Sequence, residues 1–282
     1  MRTDLAKESR QHVTDVSGVR EYTEYEDGIE ILRIEILTDE AAARLDKPIG
    51  QYISMTTSME MMMDREQRSR ISRLLAKELH RLAKHLNNVL IVGLGNRYIA
   101  ADALGTKTAE NVFVTRHIHM HMQDLLPSDT PVVSAFCANV LGVTGMETVE
   151  VVSALAKQIK PDVLILIDSL AASRMDHIGC VIQCNDSGIA PGAGVGNFRT
   201  ILSKDTLEVP VVAIGVPMVV SAEAILESAG CSCVNDREKL SDLIVTPKDV
   251  DAMVKDASRV LSDGINRMLF GDNYSELEKL LR

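Results

Sequence analysis

The sequence predicts an α/β fold: a doubly wound, mostly parallel sheet sandwiched by helices. Three apolar runs carry that expectation, at residues 89–92, 163–167 and 211–214. Each is continuous rather than alternating, as befits strands covered on both faces. Helix-like stretches at 109–116, 147–159 and 221–228 lie between or after them, and a strand–helix–strand order implies right-handed parallel crossovers. No internal repeat and no Pro/Ser-rich linker divides the 282 residues, so one large domain is expected.

Before the first run, the chain to about Gly50 reads as an irregular arm followed by a strand. Ile29, Ile31, Ile34 and Ile36 mostly alternate over 29–37, which suits an edge or hairpin strand. Over 64–86, Ile71, Leu74, Leu75, Leu79 and Leu82 recur at helical spacing with Arg and Lys between them, describing an amphipathic helix that packs on the sheet. Residues 180–184 are strand-like, with Cys180 and Cys184 as small hydrophobes in or beside the strand. Val250, Met253, Val254, Ala257, Val260, Leu261 and Ile265 place a closing helix within 247–270.

Composition narrows the function classes. Aromatics are 3% of the chain and Trp is absent, so the core is aliphatic and Met-built. A formal net charge of -10 with no Lys/Arg block repels phosphate backbones and anionic lipid, which argues against direct nucleic-acid or membrane binding. Five cysteines with no C-x-x-C pair indicate neither a disulfide framework nor a zinc ribbon, and suit a reducing cytosol. The first residues lack the apolar stretch of a signal peptide, and no later run reaches membrane-spanning length. A cytoplasmic protein is expected.

Three constellations could carry chemistry. Ile91-Val92-Gly93-Leu94-Gly95-Asn96 is a buried strand ending in glycines, and Asp102 follows beyond its carboxyl end, where open parallel sheets bind ligands. Asp168 terminates the apolar run of 163–167 in the same way. Either aspartate alone could be a helix cap or turn residue. If their strands are neighbours, both project into one crevice, where two carboxylates cannot both ionise and one acid and one base result. The third is the glycine-rich loop 186–197, whose Gly192, Gly194, Gly196 and Asn197 could bring backbone N–H groups to an extended peptide or an oxyanion. Asn96 joins them as a candidate for positioning substrate.

Other chemistries have less support. Gly105-Thr106-Lys107-Thr108 lacks the adjacent Gly-Lys of a phosphate loop, and neither G-x-S-x-G nor H-E-x-x-H occurs. His117, His119 and His121 alternate but follow a helical stretch, so solvated imidazoles are expected there, with no metal and no cofactor.

Several segments together resemble the germination protease family of spore-forming bacteria. They are Val92-Gly93-Leu94-Gly95-Asn96, Asp102-Ala103-Leu104-Gly105, Gly142-Val143-Thr144-Gly145-Met146-Glu147-Thr148, Asp186-Ser187-Gly188-Ile189, Pro191-Gly192-Ala193-Gly194-Val195-Gly196-Asn197 and Val245-Thr246-Pro247-Lys248-Asp249. The resemblance implies an endopeptidase with two catalytic aspartates, carried onto Asp102 and Asp168, in a homotetramer located in the forespore and spore core. Its implied substrates are small acid-soluble spore proteins. It further implies a zymogen that cuts itself where an acidic residue precedes a bulky apolar one, then Ala, then Glu after one more residue. Thr3-Asp4-Leu5-Ala6-Lys7-Glu8 has that form, so cleavage is expected between Asp4 and Leu5, leaving residues 1–4 as a short propeptide and 5–282 as the peptidase domain. The chain is compact over 223–243, where many relatives carry an insertion. Two alternatives stand beside this reading. The glycine and Asp-Ala-Leu-Gly segments are also similar to hydrogenase maturation peptidases, which share the phosphorylase/hydrolase-like fold class and read nickel in their substrate. A catalytically silent binder of spore proteins is the other.

Overall fold

The computed structural model describes residues 3–13, 17–193, 200–228, 230, 240 and 243–281. Among these, nine strands form one sheet: β1 (Val19–Glu26), β2 (Ile29–Ile36), β3 (Gly50–Thr56), β4 (Asn88–Gly93), β5 (Val132–Cys137), β6 (Val163–Ala172), β7 (Val181–Asn185), β8 (Val211–Ser221) and β9 (Ile244–Val245). The order is β1-β2-β3-β7-β8-β6-β4-β5, with β9 paired to the far end of β8. The parallel centre is β5-β4-β6-β8: β4, β6 and β8 are the three runs that the sequence predicts, and β5 adds a fourth strand beside β4. Beyond β8 the sheet continues antiparallel through β7, β3, β2 and β1.

The unbroken apolar runs are explained by layers on both faces. Val89 and Ile91 of β4, with Val163, Ile165 and Ile167 of β6, face a core shared with helices Arg65–Leu82, Leu104–Ala109 and Val250–Phe270. Leu90 and Val92, with Leu164 and Leu166, face a second core that Val152 and Ala156 of helix Thr148–Ile159 complete. Successive side chains point to opposite faces of a strand, so neither face can carry polar residues.

Local signals set the helix starts. Asp64 caps helix Arg65–Leu82 by accepting from Gln67 N at 2.8 Å, and Glu147 opens Thr148–Ile159 in a reciprocal box with Glu150. One expectation needs correcting: residues 109–116 are not one helix. Helix Leu104–Ala109 ends there and a separate helix, Arg116–His121, follows. Tertiary bonds hold the intervening chain out of a helix. Phe113 N donates to the buried Asn266 Oδ1 at 3.0 Å, and Thr115 exchanges bonds with Pro131 O and Val133 N at the start of β5.

The antiparallel half was only partly foreseen. β2 is the hairpin strand expected over 29–37, but it lies inside the sheet, and β1 is the edge. β1 is mostly exposed and charged, which hides it from an apolar-pattern reading and protects the edge from pairing with another chain. The helix Arg65–Leu82 is tied to this half by a fork: Arg33 Nε and Nη2 of β2 donate to the two carboxylate oxygens of Glu78, 2.7 Å each, with Glu78 0% exposed.

Candidate functional site

The two aspartates arise from neighbouring strands. β4 and β6 pair in parallel as far as Gly93 opposite Ile167, where β4 ends. Contrary to the expectation that Asp168 terminates its strand, β6 continues to Ala172 against β8, so Asp168 lies within the strand just beyond the end of β4. Leu94 N then donates to Ile167 O at 2.8 Å, which keeps the chain after β4 beside β6. A 3-10 turn, Ala100–Asp102, follows, and Asp102 Oδ2 accepts from Asn96 N at 2.7 Å.

Two glycines allow this approach. Gly95 has φ +88°, and a Cβ there would lie 2.1 Å from the Asp102 carbonyl oxygen. A Cβ on Gly105 would lie 2.1 Å from Ile167 O and 2.5 Å from Leu94 O, so the turn bearing Asp102 and the strand bearing Asp168 are in backbone contact only because residue 105 has no side chain. Gly105→Ala is expected to cost about 1–3 kcal/mol of stability and to lower activity by displacing Asp102 from Asp168. Urea denaturation beside an activity assay checks this; an alanine variant as stable and active as the parent contradicts it.

Asp168 is 4% exposed and accepts one bond, from Ser169 N at 2.9 Å. Burial first, and then the neighbouring charge of Asp102, push its carboxyl well above the usual range; Asp4 adds to the rise, and the Ser169 N–H opposes it. A carboxyl that keeps its proton to higher pH than usual, beside a second carboxylate, is suited to be the acid half of an acid–base pair. Both aspartates line a cavity of about 420 Å³, together with Asp4, Leu94, Ser169 and Gly192. Ser169 Oγ is buried and has no partner among the described residues.

Asp4 brings the N-terminal segment into the site. Its backbone N–H donates to Ala171 O at 2.9 Å and its Oδ2 accepts from Ala171 N at 2.8 Å, three residues beyond Asp168 on β6. Leu5 is 0% exposed, among Leu170, Ala172 and Val181. Glu8 is 1% exposed. Its Oε2 accepts from Ser173 N at 2.7 Å and Ser173 Oγ at 2.8 Å, and also from Thr3 Oγ1, while His177 Nδ1 lies 2.6 Å from its Oε1. Burial alone pushes the Glu8 carboxyl up, but the bonds from His177, Thr3 and Ser173 outweigh it and hold the group below the usual range.

The remaining sequence candidates are placed as follows. Asn96 holds Asp102 through its main chain, and its Oδ1 accepts from Tyr98 N at 3.0 Å. Gly192 lines the dyad cavity; Gly194, Gly196 and Asn197 lie outside the described residues. His117, His119 and His121 sit on a helix, whose periodicity turns His119 away from the other two. Among the described residues no three His, Cys, Asp or Glu side chains converge as a metal site, and no helix is long and apolar enough to cross a membrane. Sequence reading missed Gln183, Lys47, Ser173 and His177. Gln183 Nε2 donates to Asp4 O at 2.8 Å and its Oε1 accepts from Ala6 N at 2.6 Å. Lys47 Nζ donates to Thr3 O at 2.9 Å and feels the charge of Asp4. These four are ordinary polar residues in sequence, and only their meeting around residues 3–8 marks them.

Comparison with known proteins gives a consistent result. The family model described as Germination protease matches residues 1–231. A germination protease from Caldanaerobacter subterraneus subsp. tengcongensis is 36% identical, over 100% of this chain and 98% of that protein. One from Clostridium tetani is 34% identical over 94% of each, and one from Bacillus subtilis is 32% identical over 95% of this chain and 93% of its own length. Among solved structures, the NiFe hydrogenase maturation protease HycI from Thermococcus kodakarensis KOD1 is 15% identical with a TM-score of 0.37, covering 67% of this chain and 98% of that one, a likeness too low to transfer any site.

Proposed function

The chain belongs to the germination protease family, and on that premise we propose that it is an endopeptidase that hydrolyses small acid-soluble spore proteins with water activated between Asp102 and Asp168. The observation that carries the reading is Asp168, a buried carboxyl on β6 just beyond the end of β4, pushed well above the usual range by burial and by Asp102, in a cavity that a peptide segment already borders.

In this mechanism Asp102 takes a proton from water as the water oxygen attacks the scissile carbonyl carbon. Asp168 gives its proton to the carbonyl oxygen, forming a neutral tetrahedral diol. Collapse of the diol breaks the C–N bond, with Asp102 returning its proton to the leaving nitrogen and Asp168 regaining one from the diol. Asn96 serves by holding Asp102 through its N–H, and the loop of Gly192, Gly194, Gly196 and Asn197 supplies backbone donors to substrate. The division of labour follows from burial: Asp168 is enclosed, whereas Asp102 is partly open to the cavity.

We extend the proposal to self-processing. The Asp4–Leu5 bond of a zymogen is cut by the same pair, releasing residues 1–4. The family reading also carries a homotetramer, which light scattering checks, and a place in the forespore and spore core.

The test is incubation of the purified full chain with a small acid-soluble spore protein, with products mapped by intact mass. Cuts between an acidic residue and the bulky apolar residue after it, together with loss of residues 1–4 from the enzyme, are the expected result. A substrate left whole by an enzyme that is folded and processed defeats the reading and favours a silent binder.

A further inference from the structure

We propose that the recess holding residues 3–8 is a binding site for linear peptides, and that Ser173 and His177 form its pocket for a glutamate four residues after an acidic residue. The peptidase reading adds cleavage to this site, but binding itself does not depend on it.

The recess reads a peptide in two ways. Gln183, 4% exposed, brackets Leu5 by donating to the carbonyl before it and accepting from the N–H after it, as a neighbouring strand would. Ala171 holds Asp4 differently, its carbonyl accepting from Asp4 N and its N–H donating to the Asp4 side-chain carboxylate, while Lys47 donates to Thr3 O. Apart from the Ala171 N–H on the Asp4 carboxylate, which requires an acidic side chain, these contacts use main-chain groups of the segment and are largely blind to sequence. Selectivity comes from the side chains: Leu5 fills an apolar pocket, Ala6 is buried where little beyond a methyl group is presented, and Glu8 sinks its carboxylate onto Ser173 and His177.

A carboxylate is taken out of water only where donors replace its hydration. Here Ser173 contributes its N–H and its hydroxyl, and His177 its Nδ1–H, all from the body of the domain. Glutamine in the same place leaves the His177 donor facing a neutral group and sets an amide NH2 among donors. The pocket therefore discriminates by charge.

The chain's own segment is the resident occupant. Tethering gives it an effective concentration on the order of millimolar, so a peptide in trans must displace it. Weakening the tethered copy exposes the site, whereas weakening the pocket removes its selectivity, and the two are separable by mutation.

The experiment uses the full chain carrying Asp168→Asn, so that no peptide is consumed. Fluorescence anisotropy follows two blocked peptides, Thr-Asp-Leu-Ala-Lys-Glu-Ser and its analogue with Gln in place of Glu. Adding Glu8→Gln is expected to tighten binding of the Glu peptide about tenfold or more, and to reveal a preference of about tenfold or more over the Gln peptide. Adding Ser173→Ala and His177→Gln should abolish that preference. Leu5→Ala, which loosens the segment without touching the pocket, provides the same comparison if the Glu8 variant does not fold. Equal binding of the two peptides, or no binding, by a folded loosened variant overturns the proposal. Selective binding by a protein whose Asp168-containing parent cuts no spore protein supports the site while defeating the peptidase reading.

Discussion

Asp168→Asn is expected to lower peptide hydrolysis by about 10³-fold or more and, in the same protein, to raise thermal stability near neutral pH. Asparagine keeps the shape and can still accept from Ser169 N, but it cannot give or regain a proton. The stability gain follows from linkage. Burial and Asp102 raise the Asp168 carboxyl in the fold while it ionises freely in the unfolded chain, so above the ordinary carboxylate range and up to the raised value the folded state binds more protons. Stability contributed by this group is therefore greatest below the ordinary carboxylate range, about pH 4. It falls as pH rises from there and levels off only above the raised folded value. Asparagine carries no such slope, so the gap between variant and parent should widen from pH 4 towards neutrality. Melting temperatures at several pH values beside a turnover assay check both halves. A variant that is inactive and less stable at pH 7, or one with parental turnover, contradicts the role given to Asp168.

The second large effect is structural. Glu78→Ala should cost about 3–5 kcal/mol, measured as a shift in the urea midpoint at unchanged slope. Glu78 is fully enclosed between β2 and its own helix, where it neutralises Arg33, and removing it leaves a guanidinium on a partly buried surface. Arg33 keeps Glu24 at 3.0 Å, which places the cost towards the lower end of that range. Replacing both members by Leu should recover most of the loss, since desolvating an ion pair offsets much of its attraction. If the double variant is as unstable as the single one, packing rather than charge governs this contact. Both outcomes bear on the site, because the helix carrying Glu78 supports the same core that underlies β4 and β6.

Different parts of the protein were legible to different depths. The parallel centre was readable because β4, β6 and β8 are covered on both faces, and a strand with no solvent face has no freedom to carry polar residues. Asp102 and Asp168 stand out in sequence because one closely follows such a run and the other interrupts one, although β6 runs on to Ala172 and keeps Asp168 within the strand. The antiparallel half was less so. β1 alternates charge with Tyr and Thr, and β7 is a short run after a turn, so neither shows its partner. The irregular chain at 110–115 looked helical because its apolar spacing permits a helix, and the competing bonds to Asn266, Pro131 and Val133 come from residues up to about 150 positions away.

By itself, the sequence determined the fold class, the apolar runs beside which the two aspartates stand, and the resemblance of residues 3–8 to a cleavage site, since each is written in local pattern. Tertiary structure alone decided that β4 and β6 are neighbours, that Gly105 lets their extensions touch, and that residues 3–8 lie against β6 and β7 with Gln183, Ser173 and His177 around them. Those are meetings between distant segments, set by sheet order and close packing. A hydrogen bond between residues 4 and 183, or 8 and 177, leaves no trace in the spacing of either.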